Sequence, residues 1–154
     1  MGRVMPGLSR RFALCLVLLA VVAPAAVAQS PAAGEQVPLA IKGYDPVAYF
    51  TAGAPVRGLP ELEYVWDEQR YRFSRPEHRE AFRADPVRYA PQFASLCAMS
   101  LARGESAEAN PEYWLVSEGR LYLFGKPTGP KLFAQDLERN VAAANRNRPP
   151  AARR

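Results

Sequence analysis

The sequence predicts an α+β fold: a small single domain with two antiparallel β-hairpins packed with several short helices and a C-terminal amphipathic helix. Three observations predict it. Two segments alternate apolar and polar residues around turn-forming residues. Three stretches, led by Asp45, Ser74 and Asp85, carry helix-start chemistry. Near the end, Phe133, Leu137 and Val141 recur every four residues, the spacing of one helical face.

In chain order, Leu39-Ala40-Ile41 opens the domain. Asp45-Pro46 reads as an N-cap with proline at the first helical position, starting one turn through Phe50 that Gly53 and Pro55 end. Glu61 to Ser74 reads as a hairpin: Leu62, Tyr64 and Trp66, then Tyr71 and Phe73, alternate with polar partners around Asp67-Glu68-Gln69. Ser74-Arg75-Pro76-Glu77 has the spacing of a capping box, in which the Ser74 hydroxyl accepts from a backbone N–H and Glu77 reaches back. Asp85-Pro86 repeats the cap-and-proline device. Ser95 to Arg103 is a further helix, with Gly104 as its terminating residue. Tyr113 to Val116 and Leu121 to Phe124 flank Glu118-Gly119 as a second hairpin. One amphipathic helix then runs from Pro130 or Lys131 to about Asn145. No internal repeat or low-complexity segment is read from the chain.

The ends carry separate signals. Arg3, Arg10 and Arg11 precede the apolar run Phe12 to Ala23, and Ala26-Val27-Ala28 supplies small residues for cleavage. This is the pattern of an export signal, with an uncleaved anchor as the alternative. The expected organisation is a signal peptide over 1–28, a disordered leader over 29–38, the domain over 39–145 and a disordered basic tail over 146–154. Periplasmic or secreted location follows, with no stable membrane insertion after cleavage. Loss of three arginines lowers Lys+Arg from 20 to 17 against 15 Asp+Glu, so the mature net charge is +2. No basic stripe interleaved with aromatics is present, which argues against nucleic acid as a partner. Cys15 leaves with the signal, so Cys97 is the single remaining cysteine and has no intrachain disulfide partner.

Several motifs occur in order: Gly43-Tyr44-Asp45-Pro46-Val47-Ala48-Tyr49-Phe50, Tyr71-Arg72-Phe73-Ser74, Phe82-Arg83-Ala84-Asp85-Pro86-Val87-Arg88-Tyr89-Ala90-Pro91, and Leu96-Cys97-Ala98. Over residues 41–104 the chain resembles the secreted YHS-domain family, related to the heavy-metal-associated YHS modules. That resemblance implies metal handling. Three cysteine positions of the metal-associated modules fall on Ala48, Phe73 and His78 here. Two of them have lost ligating capacity, and the third has become the chain's only histidine. A four-ligand thiolate zinc site is thereby excluded on ligand count.

The candidate metal ligands are Cys97, His78 and Met99, a soft set that favours copper as Cu(I). On a helix, residues two apart diverge by about 200°, so Cys97 and Met99 are not expected to face one ion together. The competing reading treats Cys97 as a small buried hydrophobe, Met99 as core filler and His78 as part of a solvated helix face. The aromatics from Tyr44 to Phe73 either form the core or line a cleft for an apolar ligand or a protein partner. One histidine, no phosphate loop and no nucleophile elbow leave no recognised catalytic constellation. A Cys97–His78 dyad or a thiol redox role stands behind metal binding.

Overall fold

Each hairpin turns on two residues in the left-handed region. Asp67 and Glu68 (φ 50° and 57°) join β1 (Leu59–Trp66) to β2 (Gln69–Phe73). Glu118 and Gly119 (φ 51° and 68°) join β3 (Asn110–Ser117) to β4 (Arg120–Phe124). Two positive φ values in a two-residue loop match the right-handed twist of the flanking strands, which is why so short a connection suffices. The protein is seen here as a computed structural model describing residues 37–149, all within one unit, Glu35–Arg154. The expected signal peptide, most of the leader and the last five residues lie outside the described residues.

Among the described residues, five α-helices besides the C-terminal one complete the α+β fold: α1 (Ala48–Thr51), α2 (Pro76–Ala84), α3 (Pro86–Tyr89), α4 (Ala98–Ala102) and α5 (Gly129–Ala134), with α6 at Leu137–Asn147. The two hairpins form separate two-stranded antiparallel sheets. No helix among the described residues is long and apolar enough to cross a membrane.

Several local expectations are corrected. Ser74 does not cap α2, whose N-cap residue Arg75 makes no side-chain cap; the Ser74 hydroxyl donates to Asp45 instead. The helix expected from Ser95 starts only at Ala98, because Ser95 to Cys97 are held by the segment leading into β3: Cys97 N donates to the Ala107 carbonyl and Ala109 N to that of Ser95. Its end is as expected. Gly104 (φ 83°) donates to Leu101 O and Glu105 to Ser100 O, the two bonds of a Schellman closure. The single C-terminal helix is two, α5 and α6, since Asp136 leaves helical dihedrals (φ −145°, ψ 70°) and caps α6 through Arg139 N at 3.4 Å. Order also extends past Asn145: α6 reaches Asn147, and the Arg148 guanidinium stacks on Phe93 and donates to the Gln92 carbonyl.

The largest correction concerns repetition. The chain contains one. Strand pairings in the two hairpins match at residue numbers 51 apart: Leu59 with Phe73 and Asn110 with Phe124, Trp66 with Gln69 and Ser117 with Arg120. Both carry an irregularity at the same place, between Leu59 and Glu63 and between Asn110 and Trp114. Short helix, hairpin and two further helices follow in the same order twice. Asp85 and Asp136, again 51 apart, cap α3 and α6 through Arg88 N and Arg139 N. Ring contacts repeat too: Phe82 packs on Tyr71 and Phe73 at 4.6 and 5.3 Å, and Phe133 on Tyr122 and Phe124 at 5.3 and 5.4 Å.

The two halves differ where they share a core. In β2, Arg70 and Arg72 face partly outward and pair with Glu63. Their counterparts in β4 are Leu121 and Leu123, which enter the first half's core, while Tyr122 and Phe124 enter the second half's. β4 is therefore buried on both faces. A continuous apolar strand is what such a position demands.

Candidate functional site

Asp45 is fully buried, and its carboxylate gathers three segments. Oδ1 accepts from Val47 N at 2.9 Å and Ala48 N at 3.3 Å, the N–H groups an N-cap at Asp45 would serve, although α1 itself begins only at Ala48 with Val47 as its N-cap residue. Oδ2 accepts from Ser74 N at 2.8 Å and Ser74 Oγ at 2.6 Å, just past β2. His78 Nδ1, on α2, lies 2.6 Å from the same oxygen. An acceptor-only oxygen assigns the proton to Nδ1. Nε2 then meets Thr51 Oγ1 at 3.1 Å, at the end of α1.

Asp45, His78 and Thr51 thus stand in the order orienter, base, hydroxyl. Thr51 also lies 3.2 Å from the Val47 carbonyl. The carboxyl end of a helix presents carbonyls and disfavours a developing oxyanion. The series reads as a clasp between α1, β2 and α2, and not as a nucleophile.

The same construction recurs at Cys97. Backbone brackets repeat first: Asp45 N donates to Val56 O and Gly58 N to Gly43 O, as Cys97 N donates to Ala107 O and Ala109 N to Ser95 O. Cys97 occupies the cap position of α4, and its Sγ accepts from Ser100 N at 3.4 Å. Met99 and Gly125 occupy the places that Val47 and Ser74 hold around Asp45, and their N–H groups lower the thiol pKa. Burial pushes the thiol up. The Ser100 hydroxyl and the N–H groups of Gly125, Ser100 and Met99 outweigh that and hold it below its ordinary value.

What differs is the lid. His78 has Gly129 as its counterpart, 51 residues on, and each donates its N–H three residues back, to Arg75 O and Lys126 O. Position 129 is crowded, because a Cβ there would lie 2.6–2.8 Å from Phe124 side-chain atoms and force that ring to shift. Cys97 therefore faces a groove of about 320 Å³. Its walls include Met99, Arg103, Gly125, Lys126 and Gly129.

Of the three expected ligands, Cys97 and Met99 line this one groove. Since Cys97 is the cap and not a helical residue, the 200° divergence expected of a continuous helix does not apply. His78 sits apart in the Asp45 clasp, with both ring nitrogens engaged. It is buried at 5 % exposure, away from the solvated face expected of it. Among the described residues, no three His, Cys, Asp or Glu side chains gather around a possible ion. The aromatics form core: Tyr44, Tyr49, Tyr71 and Phe73 are buried, and Phe50, Tyr64 and Trp66 pack against them.

Sequence reasoning read Asp45 and Ser74 only as helix starts and passed over Thr51 and Gly129. The 51-residue match of Tyr71, Phe73, Phe82 and Asp85 to Tyr122, Phe124, Phe133 and Asp136 was the available signal. Compared with known proteins, the chain matched no protein-family model, no curated protein and no solved structure.

Proposed function

We propose that this chain is an exported, YHS-type binding protein without catalytic activity, and that its Cys97–Met99 groove takes a soft cation, Cu(I). One observation carries the reading: Cys97, whose thiol is held below its ordinary value by surrounding donors, lines the same groove as Met99. Thiolate plus thioether suits Cu(I) and gives little to hard divalent ions. Export is supported by the charged and apolar N-terminal pattern, and the YHS assignment by the ordered motifs between residues 41 and 104. His78 leaves the ligand set, since releasing Nε2 or Nδ1 would break the clasp. Cu(I) titration against a competing chelator tests this, with Cys97→Ser and Met99→Leu as variants. Affinity should collapse in the first and weaken in the second.

A thiol-exchange role is the second reading. A thiol held below its ordinary value beside a groove also suits mixed-disulfide formation. Recovery of the protein with a small thiol bonded to Cys97, and no Cu(I) affinity, would favour it.

A further inference from the structure

The two halves of the chain hold equivalent cap sites, and only one is filled from within. At Asp45 the filler is the imidazole of His78, which meets the capping carboxylate at 2.6 Å and ends on Thr51 at 3.1 Å. At Cys97 the same backbone frame holds an acceptor sulfur that Ser100 N meets at 3.4 Å, and Gly129 stands where the imidazole's own residue would be. Phe124 crowds position 129 and Gly129 carries no side chain, so this half does not supply its own ring. From this equivalence we propose that the Cys97 groove is a recognition site for an imidazole-bearing ligand, free or as a histidine side chain, whose ring N–H bonds Cys97 as His78 bonds Asp45.

Chemistry at the far end of the groove narrows the ligand further. In the first half the outer nitrogen meets a hydroxyl, Thr51. In the second, the residue closing the short helix is Arg103, which lines the groove. A guanidinium only donates, so a ring nitrogen that meets Arg103 must accept. The neutral imidazole can present N–H toward sulfur and a lone pair toward Arg103, while the carboxylates of Glu105 and Glu108, which also line the groove, can accept from a second ring N–H. At about 320 Å³ the groove sits at the lower end of small-molecule pockets, about 300–1,000 Å³, and admits a ring together with its bearer.

This inference does not rest on metal binding, and its test removes metal. With the full chain in excess chelator, imidazole is titrated while alkylation of Cys97 is followed by peptide-resolved mass spectrometry. Backbone amides of Gly125 and Gly129 are followed by NMR. Saturable slowing of alkylation, with the two amides shifting along the same curve, is the expected result. Cys97→Asp recreates the Asp45 acceptor and should tighten imidazole binding about tenfold, the value of one charge-assisted hydrogen bond. Unmoved glycine amides, or alkylation that slows without saturating, would overturn the proposal whether or not Cu(I) binds in a separate titration.

Discussion

Asp45 and His78 lie 33 residues apart in sequence and meet at 2.6 Å, with Asp45 fully buried and His78 at 5 % exposure. The contact ties the opening turn to α2 and sets the pattern that Cys97 repeats without its lid. A carboxylate so placed is tolerable only because every lone-pair direction is used.

Asp45→Ala therefore removes more than one bond. It orphans the N–H groups of Val47 and Ser74, takes the side-chain acceptor from Ala48 N, and leaves His78 Nδ1 only the longer 3.4 Å contact with Ser74 Oγ. Urea unfolding should show a loss of about 3–5 kcal/mol. The exposed pair Arg83–Glu80 sets the contrast: Glu80→Ala should cost no more than about 0.5 kcal/mol.

The repeat makes a paired prediction. Phe82 and Phe133 are both fully buried and stack on equivalent tyrosine and phenylalanine rings. Truncating either to alanine should destabilise by about 3–5 kcal/mol, and by similar amounts in the same denaturant titration. A penalty confined to one half would argue against structural equivalence.

Gly129→Ala should cost about 1–3 kcal/mol, because its Cβ would press on Phe124 at 2.6 Å and the ring must shift within a packed core. Gly119 faces open space, so replacement by Asn, a residue tolerated at positive φ, should be nearly neutral. Thermal melts of the two variants measure the difference.

Ser100→Ala removes a donor from Cys97 and should move the pH profile of thiol alkylation upward. The linked effect on stability has a definite sign. A thiol held lower in the folded chain than in the unfolded one contributes stability above its unfolded value. That contribution is lost as pH falls through the folded one. Ser100→Ala should flatten this rise of stability with pH.

Much of the fold was legible because it depends on neighbours in sequence. Tyr64 and Trp66 alternate, Asp85 caps three residues on, and Gly104 closes α4; each signal lies within one turn or one hairpin. The duplication was harder to see. Arg70 and Arg72 face Leu121 and Leu123 across it, because β4 is buried on two faces and β2 on one. Ser74 was misread for a related reason: its capping-box spacing was genuine, but the buried Asp45 claims its hydroxyl. The site was legible only as residue types. Cys97 and Met99 stood out as soft ligands, yet their shared groove depends on Gly129, whose role appears only when Phe124 is in place. His78 looked solvated among Arg75, Glu77, Arg79 and Glu80, and a partner 33 residues away reverses that.

The central claim concerns the Cys97 sulfur as an acceptor for a soft cation, and Cu(I) competition against a chelator tests it most directly. The unaltered chain should bind one Cu(I), Cys97→Ser should lose that binding, and His78→Gln should retain it if folded. Equal Cu(I) affinity in the unaltered chain and in Cys97→Ser would contradict the account.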